Sequence, residues 1–278
     1  MSTTVIHLEA DMVGCSAEVY VNDVAVGLLA NARVPTHLPD AGPKLSVSVS
    51  QYMVDGENEI AALIDPGPTP STVLSNPRRC TAKAPASLTA VLKRYPTGAY
   101  PGDPAGQVLL RLVWSVQKDQ EYTIPCLARA RGDLGQMYGT WRWQAAPRLD
   151  VNGERIRQVH HLLAAIANGL KRGDPEPFIE AARDRFLEIN RAYGRPQDFG
   201  VRELRDKLRE RLTDPNWDLA PVEVGEFDLR ACGGGRMIDC LTRDWKPILR
   251  QREGEDGLSM TFWPVRLAEI QGHLKVVR

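Results

Sequence analysis

The chain has 278 residues, 43% of them hydrophobic and 25% charged, and its 35 Lys plus Arg balance its 35 Asp plus Glu. Those proportions exclude a disordered chain, and the neutral balance leaves no whole-molecule field to attract a phosphate backbone or an anionic bilayer. The length suits two domains, and neither nucleic acid nor a membrane is expected as a partner.

The N-terminal MSTTVIHLEADMVG has neither a basic head nor a continuous apolar run, so a cleaved signal is not expected. With no stretch of membrane-spanning length, a cytoplasmic location is expected. Next, AEVYVNDVAVGLL at 17–29 sets Asn22-Asp23 between two β-rich runs, which predicts a hairpin. KLSVSVS at 44–50, NEIAALI at 58–64, SLTAVLKRY at 87–95, QVLLRLVWSV at 107–116, EYTIPCLARA at 121–130 and MYGTWRWQA at 137–145 are further strands. Pro and Gly fill the intervals, as in DPGPTP at 65–70 and YPTGAYPGDPAG at 95–106. Many short strands with such punctuation predict an antiparallel β-sandwich over residues 1–147.

After Pro147 the period changes. Ile156, Val159, Leu163, Ile166 and Leu170 recur at three- and four-residue spacing, predicting an amphipathic helix with Asn152 as N-cap and an end at Gly173. EPFIEAARDRFLEINRAYG predicts a second helix burying Phe178, Ala182, Phe186 and Ile189, and a third runs from about Val201 to Leu212. The Arg and Lys between Arg183 and Arg211 are interleaved with Glu and Asp, as on solvated helix faces with i,i+4 pairs. From Asp218 strands return, closing with WPVRLAEIQGHLKVVR, two strands meeting at Gly272. Val265, Leu267 and Glu269 should share one face and Arg266, Ala268 and Ile270 the other. Helices followed by long antiparallel strands predict an α+β domain over residues 148–278.

Two resemblances accompany these readings. VYVNDVAVG at 19–27 with YMVDGENEI at 52–60 resembles the hairpin and "G-x-N" turn of galactose-binding-like and jelly-roll modules, the sugar-binding domain of glycoside hydrolase family two among them. That likeness implies a sandwich and carries over no sugar-binding residue. KRGDPEPFIEAARDRF at 171–186 and IQGHLKVVR at 270–278 resemble the cystatin-like, nuclear-transport-factor-two-like superfamily, with His273-Leu274 standing where an aromatic is common. The likeness implies a cone in which a curved sheet wraps a helix and its concave face forms a pocket. Trp217, Phe227, Trp245, Phe262 and Trp263 would then line it, against the plainer reading that they fill the core.

Candidate chemistry is sparse. Enzymes of that superfamily place acid/base groups in the cone, which here makes Glu269, Asp239 and His161 the candidates. Asp228 lies between Phe227 and Leu229 and is expected to face solvent. His160 and His161 are about 100° apart on a helix, too far to share one metal, and His161 is expected nearer the Leu-rich side. No GxSxG or phosphate loop is present, and CGGGR at 232–236 reads as a turn. The five cysteines, Cys15, Cys80, Cys126, Cys232 and Cys240, contain no CxxC and fit reduced thiols. No metal and no cofactor is expected. Trp141 and Trp143 alternate in TWRWQ and would share a strand face, either stacking on a sugar from the sandwich surface or filling its core.

Three functions follow. The leading one is a non-enzymatic binding protein with a protein or small apolar partner, an inhibitor or immunity-type protein being one form. The others are an enzyme using the cone pocket and a carbohydrate-binding module using Trp141 and Trp143.

Overall fold

The computed structural model describes residues 4–29, 44–65, 77–96, 98–99, 101–214, 217–244, 246–252 and 261–278. The chain is mixed α+β, mostly strands in antiparallel sheets with three α-helices among the described residues. Its contacts divide into two compact units, 1–140 and 141–278.

The first unit contains β1 (Thr4–Val13), β2 (Ala17–Val21), β3 (Val24–Leu29), β4 (Lys44–Ser48), β5 (Glu57–Ile64), β6 (Arg78–Thr81), β7 (Ala86–Pro96), β8 (Gln107–Val116), β9 (Glu121–Ile124) and β10 (Cys126–Asp133). They form two four-stranded sheets, β4-β1-β7-β8 and β10-β5-β2-β3, plus the ribbon β6-β9. Alternation decides which face each strand buries: Ile6, Leu8, Ala10 and Met12 are at most 1% exposed, while His7, Glu9 and Asp11 point the other way. The sheets approach at both margins, β8 beside β10 and β3 beside β4. A Cβ on Gly27 would sit 2.4 Å from Leu45 Cδ2, which explains the glycine at that close approach.

The hairpin at Asn22-Asp23 forms without a glycine because both residues adopt positive φ, 50° and 63°, and the Asn22 side chain is fixed. Its amide donates to Tyr52 O and Asn58 Oδ1, both at 2.8 Å, and its Oδ1 accepts from Glu59 N at 2.9 Å. Buried Asn58 in turn donates to Val54 O and Gly56 O. The two turns that carried the first resemblance are thus one hydrogen-bonded knot.

In the second unit the N-terminal stretch corrects a reading. MYGTWRWQA is not a strand: Arg142–Ala145 is a 3₁₀ turn, closed by Trp141 N donating to Gln144 Oε1 at 2.6 Å. Trp141 and Trp143 are buried at 1% and 4%, and they belong to the second unit rather than to the first. The division between the two contact-defined units falls at 140/141. α1 (Gly153–Lys171), α2 (Glu176–Ala192) and α3 (Phe199–Arg211) follow. β11 (Phe227–Cys232), β12 (Met237–Thr242), β15 (Arg266–Ile270) and β16 (His273–Val276) make an antiparallel sheet in that order, with β13 (Leu249–Arg250) and β14 (Phe262–Trp263) as a separate pair. Among the described residues after Asp218 the strands are two to six residues long.

Leu163, Ile166 and Leu170 of α1, Phe178 and Ala182 of α2, and Ile238, Cys240, Leu267 and Val276 of the sheet form one core cluster, each at most 2% exposed. These side chains pack the helices against the sheet.

Candidate functional site

β15 and β16 are joined by Gln271 and Gly272, whose φ values of 53° and 79° close a tight turn. Leu267 enters the core, and Glu269, two residues on along the same face, emerges beside α1. There its carboxylate meets Arg155 at 2.9 Å, in the first turn of the helix that Asn152 caps. Glu269 also lines an open groove of about 400 Å³ with Arg142, Ala145, Ala146, Pro147, Ile270 and Gln271. Arg142, which also lines it, is held by Asp184 at 2.8 Å. The groove therefore has an apolar floor and two charges that are already paired, a surface suited to orienting a ligand's polar groups.

Asp239 lies elsewhere. It is 3% exposed and faces Arg266 across the β12–β15 register, with Nη2 to Oδ2 at 3.1 Å. Arg230, its opposite number on β11, pairs with Asp228 through Nε at 3.0 Å. Asp228 is thus part of a charged row across three strands, with a side chain only 19% exposed, and not a solvent-facing group. Burial raises the Asp239 carboxyl above its usual value, with the Arg266 and Arg230 charges opposing that shift. Such a group is a member of a buried ion pair without the open approach that a general base needs.

His161 is exposed, whereas His160 is half-buried with Nε2 3.2 Å from Val222 O and its ring 6.1 Å from Phe227. The expectation is reversed because 161 lies about 200° around the helix from Val159, the centre of the apolar stripe. Glu269, Asp239 and His161 are consequently not one constellation. Of the aromatic candidates, Trp217 and Trp263 meet edge-on at 5.9 Å and pack with Phe227 against the filled core. Phe262 points outward at 56% exposure. Trp245 lies outside the described residues.

A second depression, about 330 Å³, runs between α2 and α3. Ile179, Phe186, Leu187 and Val201 supply its apolar surface, and Glu176, Arg183, Asp198 and Arg205 its rim. Arg205 meets Glu176 at 2.6 Å across the two helices. The outer face of α3 adds a depression of about 490 Å³ lined by Phe199 and by Arg202, Glu203, Asp206, Lys207 and Glu210.

In the first unit, sequence reasoning missed a polar network. Glu9 accepts from Lys93 Nζ at 2.7 Å and from the Tyr95 hydroxyl, and Gly102 N donates to Tyr95 Oη at 3.1 Å. Hydrogen bonds from Lys93 and Tyr95, with the Lys93 charge, hold Glu9 below its usual value against the opposing effect of burial. Burial lowers His7, whose ring stands edge-on to Tyr95 at 5.8 Å. The signal was present in the alternation, since His7 and Glu9 share one face of β1 and Lys93 and Tyr95 one face of β7. Pairing those faces needs the strand order.

All five cysteines are free thiols. Burial pushes the Cys15 thiol up to about 12 and the Cys240 thiol well above its usual value. Among the described residues no group of three or more His, Cys, Asp and Glu side chains is arranged to hold a metal ion, and no helix is long and apolar enough to cross a membrane. Comparison with protein-family models, curated proteins and solved structures gave no match.

Proposed function

We propose that the chain is a non-enzymatic protein-binding protein of the inhibitor or immunity type. In this reading the first unit is a galactose-binding-like sandwich and the second a cystatin-like cone whose interior is packed. Recognition then takes place on the outside of the helices. The observation that carries the reading is the α2–α3 groove, where Phe186, Leu187 and Val201 form an apolar floor rimmed by charges of both signs. An apolar strip between paired charges suits one face of an extended or helical segment of another protein, with the rim fixing its register.

The test is affinity capture on the full chain and on a Leu187→Glu variant in parallel, followed by titration of the recovered partner in purified form. Stoichiometric capture by the wild type, lost in Leu187→Glu, is expected. Equal capture by both, or no saturable binding in the titration, would overturn the reading.

The enzymatic alternative through Glu269 has less support, because Arg155 already occupies its carboxylate. A carbohydrate site on Trp141 and Trp143 has no exposed ring face to offer a sugar.

A further inference from the structure

The outer face of the β4-β1-β7-β8 sheet carries a tyrosine that ought to be open to water and is not. Tyr95 is 1% exposed although it lies on the same face as His7, Glu9 and Lys93. Its cover is the strap 101–106. A Cβ on Gly106 would fall 2.5 Å from the Tyr95 ring, so only glycine lets the strap lie this close. Gly102 N reaches both Tyr95 Oη at 3.1 Å and Glu9 Oε1 at 3.4 Å. The strap also has internal order, with Gly106 N donating to Asp103 O and Ala105 N to Asp103 Oδ1. It is therefore a formed element fastened to the sheet chiefly through one carboxylate and one hydroxyl.

His7 stands next to that fastening. Its Nδ1 is buried and makes no hydrogen bond among the described residues, and its ring packs edge-on against Tyr95. Its charged and titratable neighbours in the register are Glu9 on its own strand and Lys93 and Tyr95 on β7, with Asp11 and Lys44 further along the same face. Lys44 is engaged by Asp11 at 3.5 Å, and Lys93, directly opposite His7 in the register, by Glu9 at 2.7 Å. A proton added to His7 thus arrives beside an ammonium group, with the Glu9 carboxylate as the nearest engaged anion.

We propose that the strap 101–106 is an acid-released latch, in which protonation of His7 draws the Glu9 carboxylate away from Tyr95 and Gly102 and frees the strap from the sheet. Release uncovers the Tyr95 ring and the His7 edge together, converting a closed polar face into one with an exposed aromatic. Burial keeps His7 neutral at pH 7. Hydrogen bonds from Lys93 and Tyr95 lower Glu9 against the opposing effect of burial and so favour its ionised form.

Amide exchange of Gly102 in the full chain, measured by NMR and corrected for the intrinsic pH dependence of exchange, tests this between pH 7.5 and 5.0. The wild type should lose protection by about tenfold, the ratio that one pKa unit of coupling represents. His7→Gln, neutral throughout, should keep the protection of the closed latch at both pH values. Glu9→Gln and Tyr95→Phe should each lack protection already at pH 7.5, and the phenylalanine variant preserves the ring that fills the site. The proposal is overturned if wild-type protection is unchanged by acid, if His7→Gln responds like the wild type, or if Gly102 stays protected in both Glu9→Gln and Tyr95→Phe.

Discussion

Glu188 and Arg278 form an ion pair at 3.1 Å with side chains 7% and 0% exposed. Arg142 N donates to the same carboxylate at 2.6 Å, and the Arg278 guanidinium lies 4.3 Å over the centre of the Trp141 ring. Nothing in the sequence marks Glu188 as different from the exposed glutamates of its helix, because its partners come from residues 141–142 and from 278. Removing one member of such a pair leaves a desolvated charge, so Glu188→Ala should cost about 3–5 kcal/mol in urea unfolding. A loss below about 1 kcal/mol, the range of solvent-exposed pairs, would show that water reaches the site. Glu269 is the opposite case. Its face was legible from the alternation VRLAEI, yet whether it met water, a cavity or a cation depended on Arg155, a residue more than a hundred positions earlier.

At the scale of elements, the helices were the most legible part of the chain. Asn152, Gly173 and the stripe through Val159, Leu163, Ile166 and Leu170 each act through local geometry, so the sequence marks α1 almost to the residue. Asn152 Oδ1 accepts from Arg155 N at 2.9 Å, and Asn152→Ala should lower stability by about 0.5–2 kcal/mol in denaturant titration, with far-UV circular dichroism unchanged at neutral pH. TWRWQ shows the limit of such reading. Alternating indoles satisfy a strand pattern, but the closure by Gln144 and the burial of both rings make the segment a turn. Trp143 lies close to Gly233, where an added Cβ would fall 3.2 Å from the indole. If both indoles are as enclosed as this, acrylamide should quench Trp141 and Trp143 fluorescence far less than it quenches free tryptophan, and a glycan array should give no signal that Trp143→Phe removes.

For the whole molecule, the titrating groups set a pH window. His7 lies below its usual 6.5, so in mild acid the unfolded chain binds a proton that the folded chain refuses, and stability falls as pH drops below about 6.5. Glu9, lowered from 4.5, adds a further loss in stronger acid, which the raised Asp239 partly offsets because the folded state binds its proton more readily. On the alkaline side Lys93 and Tyr95 are raised from 10.5 and 10.0, and Tyr122 is raised to about 12, beside Asp65. There the unfolded chain releases protons first and stability falls as pH rises. Calorimetric scans across pH 5 to 10.5 should therefore find the highest Tm between about 6.5 and 9, and His7→Gln should flatten the slope between pH 5 and 6.5. An unchanged slope in that variant would assign the acid limb to other groups.

The sequence by itself determined the mixed α+β class, the concentration of strands in the first half, the three helices and the positions of the two turns at Asn22 and Gly272. Each depends on short-range rules: periodicity, capping and the backbone freedom of Asn and Gly. Only the tertiary structure decided which polar groups meet. Glu9 with Tyr95, Asp239 with Arg266, and Glu188 with Arg278 are each brought together by strand order or by chain returning from far away. Electrostatic fate depends on such neighbours and on burial, and the residue types and spacing of a single segment carry neither.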